Sequence, residues 1–134
     1  MTSPLLQRRT DDGAAAVELA LILPILVLII LGIVELGFAF NTQIGLTQAA
    51  REGVRVAAVD WEATEGDMEN TMLIAFSGLT ATSEDPSVID AATCPENPDS
   101  SDRARLEISL DYTPPIVRFG PFTLRAEAVM RCGG

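Results

Sequence analysis

Residues 13–40 read GAAAVELALILPILVLIILGIVELGFAF. From Ala14 to Phe40 the only ionisable residues are Glu18 and Glu35. Roughly 20 apolar residues at about 1.5 Å each cross a hydrocarbon core of about 30 Å, so this run is a transmembrane helix candidate. It is too long for the apolar region of a secretory signal, about 7–15 residues, and no small-x-small cleavage site follows it. Pro24 would break a soluble helix, but a membrane helix tolerates it when neighbours satisfy the freed carbonyl. An acid inside such a run is a functional hypothesis by default. Glu35 lies about 25 Å beyond Glu18 along a helix. The simplest expectation for it is an outer-interface carboxylate reaching towards headgroups. Glu18 stands at the opening of the run, after a Gly and four small apolar residues.

The chain has 134 residues, enough for one small domain plus an anchor. Arg supplies every positive charge, and there is no Lys and no His. After Phe40 there are 15 acids against 7 Arg. A domain this acidic is a poor partner for nucleic acid, whose binding needs cationic phosphate contacts. Nor is it drawn electrostatically to an anionic membrane surface. Without His, and with Cys94 and Cys132 as the sole thiols, most transition-metal sites and all His-dependent catalysis drop out. No G-x-S-x-G and no P-loop is present, and the acid pair Glu84/Asp85 falls in a loop with no pocket implied. The residues point to a protein that is not an enzyme and call for no cofactor and no metal.

Arg8 and Arg9 precede the span, and Arg51 and Arg55 follow it at a greater distance. Counted near the ends of the span, the Arg residues tilt the N-terminus towards the cytoplasm. Residues 41–59, NTQIGLTQAAREGVRVAAV, continue as a helix, with Ile44, Ala50, Val54 and Ala57 near helical spacing. Arg51, Glu52 and Arg55 read as ordinary surface charges on it. Thr64 followed by Asp67 marks a second helix start of the capping-box kind. Met68, Met72, Leu73, Phe76 and Leu79 then form an apolar stripe expected in the core, and Gly78 is expected to end the helix. Residues 80–102 are loop with a short strand at 87–91. The acids of 98–102 lack the ligand order and Gly of an EF-hand, so a solvated loop is the better reading than calcium.

Arg103–Tyr112 alternates strictly, with Ala104, Leu106, Ile108, Leu110 and Tyr112 on one face. Thr113-Pro114-Pro115 stops that strand. Residues 116–119 are read as a short extended piece. Phe122, Leu124, Ala126, Ala128, Met130 and Cys132 then share one face of a last strand. The two strands are expected to pair antiparallel with their apolar faces on the helices. The fold class is α+β: a long N-terminal helix, half in the membrane, and a small head with an antiparallel sheet.

Gly13, then AAAV, then Glu18, opening an apolar helix behind a basic leader, resembles the processing site of type IV prepilins. The wider pattern AVELALILP…E…F…AAREGVR, over roughly residues 10–58, resembles TadE-like proteins, minor pilin-like components of tight-adherence (Tad/Flp) pilus systems. Leu19 stands where major Flp pilins usually carry an aromatic residue, which favours the minor, TadE-like class. The resemblance implies cleavage between Gly13 and Ala14 by a membrane aspartyl peptidase. It implies that Glu18, then the fifth residue, helps dock the subunit. The physical logic is that cutting leaves an ammonium on Ala14, which a neighbour's carboxylate can neutralise where water is scarce.

On this reading residues 1–13 are a cytoplasmic leader, 14–40 the span and 41–134 an extracytoplasmic α+β domain of type IV pilin-like plan. The protein sits in the cytoplasmic (inner) membrane or in the pilus. Its partners are membrane lipid, the prepilin peptidase, other pilin or pseudopilin subunits and the assembly machinery. Outside the cytoplasm, Cys94 and Cys132 are expected to form a disulfide, with unpaired thiols as the rival. A ring of about 39 residues would contribute on the order of 3–4 kcal/mol. The alternative function is an uncleaved bitopic protein whose outer domain binds a ligand or partner.

Overall fold

A computed structural model describes residues 8–79, 84–116 and 120–133. The apolar run and the segment after it form one helix, α1, Arg8–Val59, of 52 residues and about 78 Å. Pro24 lies inside it. Its two halves have different surroundings. From Gly13 to Ile30 nothing covers it and its Leu, Ile and Val side chains are exposed, while Leu31 and Gly32 are partly covered. Beyond that point one stripe is buried: Glu35, Thr42, Leu46, Ala49, Gly53 and Ala57. Spacings of three, four and seven residues keep such a stripe on one helix face. The head is built against that face.

The chain reverses at Asp60. The Asp60 amide donates to the Val56 carbonyl at 3.0 Å, and Asp60 Oδ1 accepts from the Glu62 amide at 3.0 Å. Helix α2, Glu65–Leu79, then opens on the expected capping box. The Thr64 amide donates to Asp67 Oδ2 at 2.9 Å, and the Asp67 amide donates back to Thr64 Oγ1 at 3.3 Å. The Thr64 hydroxyl, which also donates to Asp67 Oδ2 at 2.7 Å, and secondarily the Thr64 amide hold the Asp67 carboxyl below its ordinary range. Met68, Met72 and Phe76 are buried, as the stripe predicts, and Leu73 packs against the core. Leu79 differs: it is 46 % exposed, and the helix runs through Gly78 rather than stopping there.

Among the described residues three strands follow, β1 (Ser87–Ala92), β2 (Arg103–Tyr112) and β3 (Phe122–Arg131), in the order β1-β2-β3, all antiparallel. β1 is one residue longer than the expected strand and carries an irregularity between Val88 and Asp90. β2 and β3 pair without a break from Arg103↔Arg131 to Tyr112↔Phe122. The expected inner face of β2 is buried throughout, whereas Phe122 at the start of β3 is 45 % exposed. Ile116 lies in a bend, and the rest of the expected extended piece, 117–119, falls outside the described residues.

On the outer face Arg105 gathers the acids of all three strands, with Asp90, Glu107 and Glu127 at 3.6, 3.3 and 2.9 Å. It offsets the direct opposition of Glu107 and Glu127 across the ladder. Pairs this exposed contribute little each.

β3 is tied to α1 at two levels. Gln43 Nε2 donates to the Arg125 carbonyl at 2.8 Å, and the Gly133 amide donates to the Ala58 carbonyl at 3.0 Å. A disulfide joins Cys94 to Cys132, 38 positions apart, and fastens the β1–β2 loop to the end of β3.

The tightest point of the core is Gly53. A Cβ there would sit 2.6 Å from Leu106 Cδ2, 2.9 Å from the Met68 carbonyl oxygen and 3.1 Å from Met72 Cβ. Here α1, α2 and β2 meet, and the α2 neighbour is backbone, which cannot simply rotate away. Ordinarily Gly→Ala in a helix adds about 1 kcal/mol of stability. Here Gly53→Ala should destabilise the head by about 1–3 kcal/mol through overpacking. Denaturant unfolding of the detergent-solubilised protein measures it; an unchanged or raised midpoint would contradict the close approach.

Candidate functional site

The sequence-predicted processing residues lie on the uncovered half of α1. Gly13 and Glu18 are exposed, and nothing stands within 4 Å of where a Gly13 Cβ would be. Gly13 is helical here, as are its neighbours on both sides. Gly is about 1 kcal/mol poorer than Ala in a helix interior, so local unwinding costs less there than at the Ala residues that follow. Ala14 and Glu18 are one turn apart on one face. No hydrogen bond or ion pair to Glu18 is made among the described residues. The stretch offers an accessible peptide and a carboxylate on a bare apolar rod.

The second place of interest is the seam between rod and head. Glu35 does not reach outward as an interfacial side chain would. It is 8 % exposed, because the turn after β2 lies over it. The Ile116 amide donates to both carboxylate oxygens, at 3.3 Å each. Thr42, buried two turns further on, returns its hydroxyl to the Phe38 carbonyl at 3.0 Å. Tyr112, the last residue of β2, is buried with its ring 5.2 Å from that of Phe122. Its hydroxyl has no hydrogen-bond partner among the described residues. Burial, and secondarily the negative charge of Glu35, raise the phenol above its ordinary value of 10.0.

The remaining sequence candidates fall elsewhere. Cys94 and Cys132 are bonded at the opposite end of the sheet from Tyr112. In the acidic loop, Asp99 Oδ1 accepts from the Ser101 amide at 2.6 Å and Asp102 Oδ2 from the Asp99 amide at 2.8 Å. Both carboxylates therefore serve as turn acceptors, and the Ser101 hydroxyl, which also donates to Asp99 Oδ1, and then the Ser101 amide lower the Asp99 carboxyl. Among the described residues no three acids or thiols converge as metal ligands. Glu84 and Asp85 do border a shallow, open depression with Ser87, Ser109 and Asp111, which their loop position did not suggest. Glu84 Oε1 accepts from the Thr113 hydroxyl at 3.3 Å.

These features define a membrane-anchored α+β protein whose bare N-terminal helix carries a small disulfide-closed head. A family model described as TadE-like protein matches residues 13–55, from Gly13 to Arg55, the Arg that ends AAREGVR. Over that segment the chain is similar to TadE-like proteins, in agreement with the motifs it carries there. Neither the curated proteins nor the solved structures compared with the chain give a match.

Sequence reasoning found the rod and missed the seam. The signal for the seam was present: Glu35 falls in register with Thr42, Leu46 and Gly53, the face the head covers.

The chain contains a single Tyr, so its titration can be read by phenolate absorbance. The midpoint should lie above 10.0 in the folded protein and return to that value on unfolding. A phenol raised in the fold leaves stability intact below the unfolded value and removes it as pH rises through the folded one. Tyr112→Phe deletes a buried hydroxyl without a partner, so it should leave stability unchanged or raise it by about 1 kcal/mol and remove the alkaline loss. A clear loss of stability in that variant would show that the hydroxyl is bonded.

Proposed function

We propose that this protein is a pseudopilin-type subunit of a Tad/Flp pilus system, cut after Gly13 by a prepilin peptidase. The observation that carries the reading is the coincidence at the start of α1. The Gly-AAAV-Glu pattern lies near the start of α1, on its uncovered half, and the TadE-like match begins at the same Gly. Residues 1–13 are then a cytoplasmic leader, α1 crosses the inner membrane, and the head lies outside. A disulfide in the head suits an oxidising compartment. After cutting, Ala14 carries an ammonium at the membrane edge. Glu18 of an adjoining subunit neutralises it, and the pairing favours lateral docking of one rod on another, because either charge alone is costly in hydrocarbon.

Two measurements test this. Intact-mass analysis of protein from cells that hold the peptidase should find Ala14 first, and Gly13→Leu should retain the leader. Glu18→Gln should insert into the membrane normally yet fail to assemble with partner subunits. A mature chain that keeps its leader would favour an uncut bitopic protein with a partner-binding head. Normal assembly of the Gln variant would reduce Glu18 to an interfacial carboxylate.

A further inference from the structure

We propose that the lower end of the head is itself a membrane-binding surface, resting in the headgroup–acyl boundary of the outer leaflet around α1. The inference rests on the reading that α1 spans the bilayer. Ala14–Val34 is 21 residues, or about 31 Å of helix, which fills a hydrocarbon core of about 30 Å. The boundary therefore falls at Glu35. The Ile116 amide lies 3.3 Å from the Glu35 carboxylate, so the turn after β2 is held at the depth where the hydrocarbon ends.

The side chains at that level are apolar and uncovered. Leu36, Phe38 and Phe40 are open on α1, with Phe40 65 % exposed, and Ile116 and Phe122 are each 45 % exposed on the head. Phe122 stands opposite Tyr112 at the same end of the sheet, with the two rings in contact. An aqueous surface has no use for this collar, but it is continuous with the bare apolar rod below. Lipid is the occupant that this continuity selects, because the collar and the rod meet the same solvent. The nearby acids Asp111, Glu84 and Asp85 argue against attraction to anionic headgroups, so the contact is apolar burial. The turn also roofs Glu35, so the carboxylate meets an amide at the depth where water runs out.

Depth-dependent quenching tests this in vesicles of phosphatidylcholine brominated at shallow or deep acyl positions. Trp61 is the sole Trp and lies beyond the far end of α1, about 36 Å above Glu35 along the helix. It should be unquenched in every lipid. In a Trp61→Phe background, Ile116→Trp and Phe122→Trp should each lose roughly half or more of their emission to shallow bromines, as expected for side chains seated at the headgroup–acyl boundary. Admixing anionic lipid should not increase the loss. Leu26→Trp, at mid-span, should be quenched by deep bromines. If Leu26→Trp is quenched while both head variants behave like Trp61, the lipid-seated head is overturned and the span stands. An unquenched Leu26→Trp overturns the span and this inference with it. A loss at Ile116→Trp or Phe122→Trp that appears only with anionic lipid overturns the apolar mode.

Discussion

One helix serves two solvents. Over Ala14–Ile30, α1 is apolar almost all round, since nothing among the described residues covers it there. Past Phe40 it is buried on one stripe and largely polar elsewhere, with Arg51, Glu52 and Arg55 turned outward. The rest of the head follows from that stripe. It is lined with small residues, Ala49, Ala50, Gly53 and Ala57, so α2 and β2 approach the helix backbone closely. Large side chains from the other elements, Phe76, Leu106 and Ile108 among them, fill the space those small residues leave. The burial of each such side chain contributes about 1.5–3 kcal/mol. A small domain needs that and gains further from its disulfide.

The junction of the two regimes is where polar chemistry concentrates. A carboxylate at the top of an apolar rod would ordinarily stretch towards water. Here the Ile116 amide after β2 binds it instead, and the nearby Tyr112 hydroxyl is buried without a partner among the described residues. Thr42 likewise satisfies its hydroxyl within α1, which lets a polar residue sit under the head.

Much of this was legible in the residues. A long apolar run marks a candidate span, and strict alternation over Arg103–Tyr112 marks a strand with one buried face. The capping box was visible because Thr and Asp three apart do one thing before a helix. The TadE-like motifs lie in the rod and its continuation, where local sequence dictates local structure. What stayed hidden depends on contacts between distant segments. Gly53 reads as a permissive helix residue until Leu106 and the Met68 carbonyl arrive beside it. Glu35 reads as an interfacial acid until a turn 81 positions away lies over it. The depression beside Glu84 forms where a loop meets the β2 end. Leu79 shared the spacing of its stripe but lies past the end of the surface that the stripe packs against.

The two ties between β3 and α1 have a mechanical consequence. Gln43 holds Arg125 and Ala58 holds Gly133, so the strand runs alongside the helix and is fastened near both ends. A force drawing the helix along its axis therefore loads these bonds and the packed stripe together, in shear, instead of peeling them one at a time. The sheet follows the helix as one body, and the Cys94–Cys132 bond keeps the end of β3 from fraying first. A pull passed between rod and head is therefore borne by the whole seam at once.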